Sequence, residues 1–125
     1  MQDKQALVDI LTAIQQTLKY IQSVDRDRLQ QDDEKQAAIL YRLIIIGEAT
    51  KRLSGNLRQQ FPEVPWKQMA GLRDVVIHDY DELDFDILWN VIHINLPDIF
   101  PKIQKILEDI WKHGDEVLNP SREPP

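Results

Sequence analysis

The chain contains no cysteine. That absence removes disulfides, thiolate metal sites and thiol nucleophiles together, and it suits a reducing compartment, so cytoplasm is the expected location. Glycine is scarce, at four residues, and none of them builds the Gly-rich loop that cradles a nucleotide's phosphates. No apolar run approaches the roughly 18 to 20 residues that span a bilayer. Met1-Gln2-Asp3-Lys4-Gln5 also lacks the basic-then-apolar order of a signal peptide. His78, His93 and His113 have neither the i,i+4 spacing of a helical zinc pair nor a cysteine partner, so no metal and no other cofactor is expected. Asp79, Asp81, Glu82, Asp84 and Asp86 lack the glycine and terminal glutamate of an EF-hand and read as a solvated, helix-capping loop.

A positive excess is missing too. The net charge of -6 argues against a nonspecific nucleic-acid coat protein, which binds phosphates through an overall basic face. The charge is uneven, however. Lys51, Arg52, Arg58, Lys67 and Arg73 stand against Glu63 alone, whereas residues 74–86 carry six acids and no Lys or Arg. A local phosphate-binding surface on an acidic protein is compatible with that division, as are ordinary solvated helix faces.

At 125 residues the chain is one domain, long enough to bury roughly two thirds of its unfolded surface. Leu7, Ile10, Leu11, Ile14, Leu18 and Ile21 recur at steps of three and four and predict an amphipathic helix over about residues 4–23. After the charged stretch Asp25 to Asp33, a second helix carries Ala37, Leu40, Leu43, Ile44 and Gly47, with Gly55 as its stop. Leu43 to Ile46 is apolar nearly all round, which implies contact on more than one side, at a bundle centre or a subunit interface. Phe61 to Pro65 reads as a loop. A third helix runs from about Trp66 to Ile77 and ends near His78. Asp84 is the N-cap expected for a fourth, which Pro97 and Pro101 should kink or divide and Gly114 should end. The prediction is an all-α, four- to five-helix up-and-down bundle over residues 1–114, with a flexible C-terminal tail over 115–125.

The conspicuous pattern is Gly71-Leu72-Arg73-Asp74-Val75-Val76-Ile77-His78-Asp79-Tyr80: an Arg, four residues, a His, one residue and a Tyr. With Ile46-Gly47-Glu48-Ala49 and Trp66 before it, and Leu88-Trp89 to Leu96-Pro97 after it, the chain resembles the HEPN superfamily. Within that superfamily it is most similar to the HepT toxins, whose signature is this Arg-x4-His-x-Tyr. The resemblance covers about residues 5–112.

The residue types suit RNA cleavage without a metal. The reaction must take a proton from the ribose 2'-hydroxyl, stabilise charge on the phosphorane and protonate the leaving 5'-oxygen. An imidazole, with an ordinary pKa of about 6.5, serves as acid or base near neutral pH, which fits His78. Arg73 offers a forked, permanently charged donor set for phosphate oxygens. Asp74 is placed to orient the arginine or the histidine. Glu48 interrupts an apolar stretch and is expected near a partner such as Arg73, as structural support. Without the family context, Arg73 reads as a surface ion pair, His78 as a helix cap and Tyr80 as a half-buried aromatic.

The resemblance implies a toxin of a toxin–antitoxin pair: an endoribonuclease leaving a 2',3'-cyclic phosphate and a 5'-hydroxyl. It further implies a nucleotidyltransferase antitoxin of the MntA kind as partner, AMP transfer to Tyr80, and a homodimer whose two motifs line one groove. The alternative is a non-catalytic helical subunit that docks a nucleotidyltransferase and presents its substrate or nucleotide. One geometric difficulty attends the motif. Five residues at about 100° each put Arg73 and His78 some 140° apart on a straight helix. Either the helix ends before His78, or the Arg73 side chain wraps round, or two subunits share the site.

Overall fold

In the computed structural model, which describes residues 2–79 and 82–118 and side chains as far as Lys112, the first apolar stripe forms α1 (Gln2–Tyr20). Ala6, Leu7, Ile10, Ala13, Ile14 and Thr17 are buried along it, at the steps that keep side chains on one face of a helix. The buried Thr17 hydroxyl donates to the Ala13 carbonyl (2.8 Å), so no donor is stranded.

The charged stretch that follows contains a helix the periodicity does not show. Asp25 accepts from the Arg28 backbone N–H (2.8 Å) and caps α2 (Arg26–Gln31), which the fully buried Leu29 pins to the core. Asp32 closes α2 and opens α3 (Asp33–Arg52), its carboxylate accepting from the Lys35 N–H at 2.9 Å. Gly55 does not stop this helix. The chain turns extended at Leu53, and the Ser54 hydroxyl accepts from the Leu57 N–H to cap α4 (Gly55–Gln60). The cap comes first, so the glycine begins a helix instead of ending one. Asp3 of α1 holds the corner, accepting from the Ser54 N–H (2.8 Å) and hydroxyl (2.7 Å).

The expected third helix is two short ones, α5 (Trp66–Ala70) and α6 (Leu72–Val76), offset at Gly71. α3 packs against α1, α2, α5 and α6. Leu43 and Ile46 are fully buried, while Ile44 and Ile45 are half-buried. Leu43, Ile45 and Ile46 of the apolar band therefore meet the core of the same chain, while Ile44 is only half-buried and is not packed against it. At Gly47 α3 lies tightly against α5: a methyl group there would stand 3.0 Å from the Ala70 carbonyl oxygen.

After α6 comes an antiparallel ribbon of β1 (Ile77–His78) and β2 (Glu82–Leu83). Asp84 then caps α7 (Phe85–Asn90), accepting from the Ile87 N–H at 3.2 Å. A π-helical turn over Val91–Asn95 leads into α8 (Leu96–Leu118). The rod is divided at neither proline, since α8 runs on through Pro101. The irregularity is the π turn, which ends two residues before Pro97, so the carbonyl that Pro97 cannot satisfy falls where the ladder is already reorganised. Gly114 does not end α8 either. No glycine among the described residues has positive φ, and a helix-interior glycine costs only about 1 kcal/mol relative to alanine. Of the expected tail, residues 119–125 lie outside the described residues.

Leu88, Ile92 and Leu96 are all fully buried. Two consecutive steps of four would drift round a regular α-helix by about 40° each. The i→i+5 bond from the Leu96 N–H to the Val91 carbonyl takes up the extra residue and keeps the three in line. The result is an all-α bundle with one small ribbon. Among the described residues, no helix is long and apolar enough to cross a membrane.

Candidate active site

α6 buries Leu72 and Val76 and turns Arg73, Asp74 and Val75 outward. It ends at Val76, because Ile77 is extended (φ -96°, ψ 122°) and the Asp84 N–H donates to the Val76 carbonyl at 2.8 Å. The ribbon pairs Ile77 with Leu83 and His78 with Glu82. Alternation along a strand then does the sorting: Ile77 and Leu83 pack against the core, while His78 and Glu82 are exposed. Asp79 adopts φ 45° at the turn and accepts from the Glu82 N–H at 3.2 Å. Asp is among the residues that tolerate this left-handed geometry. Tyr80, the expected AMP acceptor, and Asp81 lie outside the described residues.

Of the three routes past the 140° separation, the first is realised within this chain: the helix stops before His78. The imidazole is 70% exposed, with Nε2 3.4 Å from Asp79 Oδ2. It stands on the rim of a depression of about 340 Å³ shared with Gln30, Glu82, Asp84, Phe85 and Asp86. Arg73 is 55% exposed and pairs loosely with Asp74 (Nη1 to Oδ1, 3.4 Å). A contact this long and this exposed holds the guanidinium weakly and leaves its donors accessible.

Comparison with known proteins decides the family. The family model described as "Ribonuclease HepT-like" matches residues 10–106. The chain belongs to the HepT-like ribonuclease family. It is 34% identical to a Methanocaldococcus jannaschii protein named "Putative RNase" over 104 residues, covering 83% of this chain and 86% of that one. It is 32% identical to "Probable ribonuclease HepT" of Thermococcus cleftensis, over 82% of this chain and 94% of that one. A Caldanaerobacter subterraneus "Putative RNase" is 30% identical over 82% of this chain and 91% of its own length. No solved structure matches the chain.

In this HepT-like chain Glu48 is exposed on α3 and pairs with Lys51 (3.5 Å), while the ion pair that Arg73 makes is with Asp74. Among the described residues no group of His, Cys, Asp or Glu is placed to hold a metal ion. Two features escaped the sequence reading. One is a groove of about 350 Å³ between α5–α6 and α7–α8, lined by Met69, Leu72, Val75, Ile87, Val91 and Ile99 among others. Val75 and Ile87 are exposed there, and Ile94 is exposed on the π turn. The other is His93, expected only as a weak metal candidate, whose ring lies on Trp89 with centroids 3.7 Å apart. The spacing Phe85, Trp89, His93, two steps of four, was its signal in the sequence.

Proposed function

We propose that this chain is a metal-independent endoribonuclease acting as the toxin of a toxin–antitoxin pair, with Arg73 and His78 as its catalytic groups. The observation that carries the reading is the helix end at Val76, beyond which His78 stands free of the core while Arg73 projects from the last helical turns, both open to solvent. The 2'-oxygen attacks phosphorus as its proton passes to a base. The bond from phosphorus to the 5'-oxygen breaks, and that oxygen takes a proton from an acid. A 2',3'-cyclic phosphate and a 5'-hydroxyl result. His78 serves as base or acid, and Arg73 binds the phosphorane oxygens.

A homodimer supplies two histidines to one cleft, so that one can accept a proton while the other gives one. The apolar groove that Val75, two residues from Arg73, helps to line supports such a pairing. In this reading a nucleotidyltransferase antitoxin of the MntA kind transfers AMP to Tyr80. The added anionic nucleotide blocks the cleft and repels the RNA that Arg73 attracts.

The test is cleavage of RNA by the purified protein in excess EDTA, with analysis of the product ends. Activity should persist, leave cyclic phosphate, and fail on a substrate with deoxyribose at the cut position, which lacks the nucleophile. His78→Ala should slow the chemical step by about 100-fold or more. Loss of activity on chelation, or unchanged cleavage by both Arg73→Ala and His78→Ala, would sink the reading.

A further inference from the structure

Phe85, Trp89 and His93 form a ladder of rings that starts at the depression beside His78, where Phe85 is part of the wall. The Phe85 and Trp89 centroids are 6.2 Å apart and 27° from parallel, an ordinary separation for i,i+4 aromatics on a helix. Trp89 and His93 have the same sequence spacing but stand 3.7 Å apart. The difference between the two steps is the π turn, which begins at Val91 and widens the helix under His93. His93 is fixed there by its own helix: Nδ1 lies 3.3 Å from the Trp89 carbonyl, an acceptor for the Nδ1–H tautomer. The ring is nevertheless exposed. An exposed flat ring, tilted by 30° over a half-buried tryptophan and held by a hydrogen bond, contributes little to the core and much to a surface that a planar ligand could cover.

The surrounding charges select the kind of ligand. Glu82, Asp84 and Asp86 line the depression and disfavour a phosphate lodged within it, while His78 stands at its rim, 70% exposed. Arg26, whose guanidinium lies 5.5 Å from the Phe85 ring and 6.0 Å from the Trp89 ring, is paired with Asp86, which offsets its charge in part. A polynucleotide crossing this side would turn its neutral base faces, rather than its phosphates, towards the rings. Unpaired RNA bases stack on aromatic and histidine rings in this manner.

We propose that the Phe85–Trp89–His93 ladder is a stacking platform for an unpaired RNA base, with His93 as its outer rung and a positioning residue for the substrate. The proposal rests on the ribonuclease reading for the identity of the ligand. The probe is a short, fluorescein-labelled, single-stranded 2'-O-methyl RNA, in which the nucleophile is blocked, titrated against the full chain by anisotropy at fixed salt. His93→Ala and His93→Leu should each weaken binding by about fivefold or more, the low end of measured base-stacking contributions, and should raise KM for cleavable RNA by a similar factor. His93→Phe, which restores a flat ring without the imidazole's hydrogen bonds, should recover most of the affinity. Parent-like binding by all three variants, or a phenylalanine variant as weak as the leucine one, overturns the platform. Cleavage by the parent together with either of those results leaves the ribonuclease reading standing. Binding that depends on His93 in a protein that cleaves no RNA upholds the platform and removes the ribonuclease reading. A parent that neither binds nor cleaves removes both.

Discussion

The backbone N–H of Asp84 donates to the carbonyl of Val76 at 2.8 Å, joining the start of α7 to the end of α6 across the ribbon that carries His78. The same Asp84 uses its carboxylate to cap α7 through the Ile87 N–H. The position of the candidate acid–base group therefore depends on a residue that belongs to the next helix.

Replacing that carboxylate tests how firmly the cap holds α7. Asp84→Ala should lower stability by about 0.5–2 kcal/mol, the usual cost of a lost N-cap, and Asp84→Asn or Asp84→Ser should recover most of it. Urea unfolding followed by circular dichroism reads the difference. Equal midpoints for the parent and the alanine variant would show that the cap carries no weight.

Gly47 offers a second test, because two effects oppose one another there. An alanine in mid-helix normally gains about 1 kcal/mol over glycine. Here its methyl group would press on the Ala70 carbonyl at 3.0 Å, against backbone that cannot rotate away. Gly47→Ala should therefore fail to stabilise, and Gly47→Val should destabilise by about 1–3 kcal/mol through overpacking. A clear gain on Gly47→Ala would mean that α3 and α5 separate easily.

In the proposed homodimer, the groove lined by Val75 and Ile87 is where the protomers should meet. Val75 and Ile87 are exposed, at 41% and 36%, so a charge at either leaves the core intact while opposing burial in an interface. The parent should scatter light as a dimer or larger at micromolar concentration. Val75→Asp and Ile87→Asp should each reduce the mass to that of a monomer. Dimers that survive both changes would place the interface elsewhere.

Tyr80 separates regulation from catalysis. Tyr80→Phe deletes the phenolic oxygen and keeps the ring, so protein made together with a nucleotidyltransferase partner should carry AMP on the peptide containing His78-Asp79-Tyr80 in the parent and none in the variant, by mass spectrometry. AMP found at another residue, or equal RNA cleavage by labelled and unlabelled protein, would defeat the regulatory proposal.

The long elements were legible in the sequence because each buries one continuous stripe. Leu7 to Thr17 and Leu88 to Ile106 sit at helical spacing, and Asp84 announced its helix by residue type. What escaped was too short or too local for periodicity to register. α2 has six residues and shows a single buried side chain, and strands of two residues have no alternation to read. Gly55 and Gly114 do not end their helices because glycine permits a helix end without imposing one. At the site, Arg73 and His78 stood out through the motif, whereas Val75, Ile87 and Ile94 resemble core residues until neighbours fail to cover them. His93 could be picked out by its step of four from Trp89, but its close approach to that ring depends on a wide turn that residue types do not encode.

That wide turn also makes the α7–α8 rod tolerant of a change in chain length at one position. Excising Asn95 would bring the fully buried Leu88, Ile92 and Leu96 to successive steps of four and three, the normal alternation of an α-helix, and the half of the rod beyond would keep its bearing. The same excision further along α8 would turn everything after it by about 100°. The interior thus has no use for the surplus residue, and its effect falls on the outer side of the rod, where His93 and Ile94 stand.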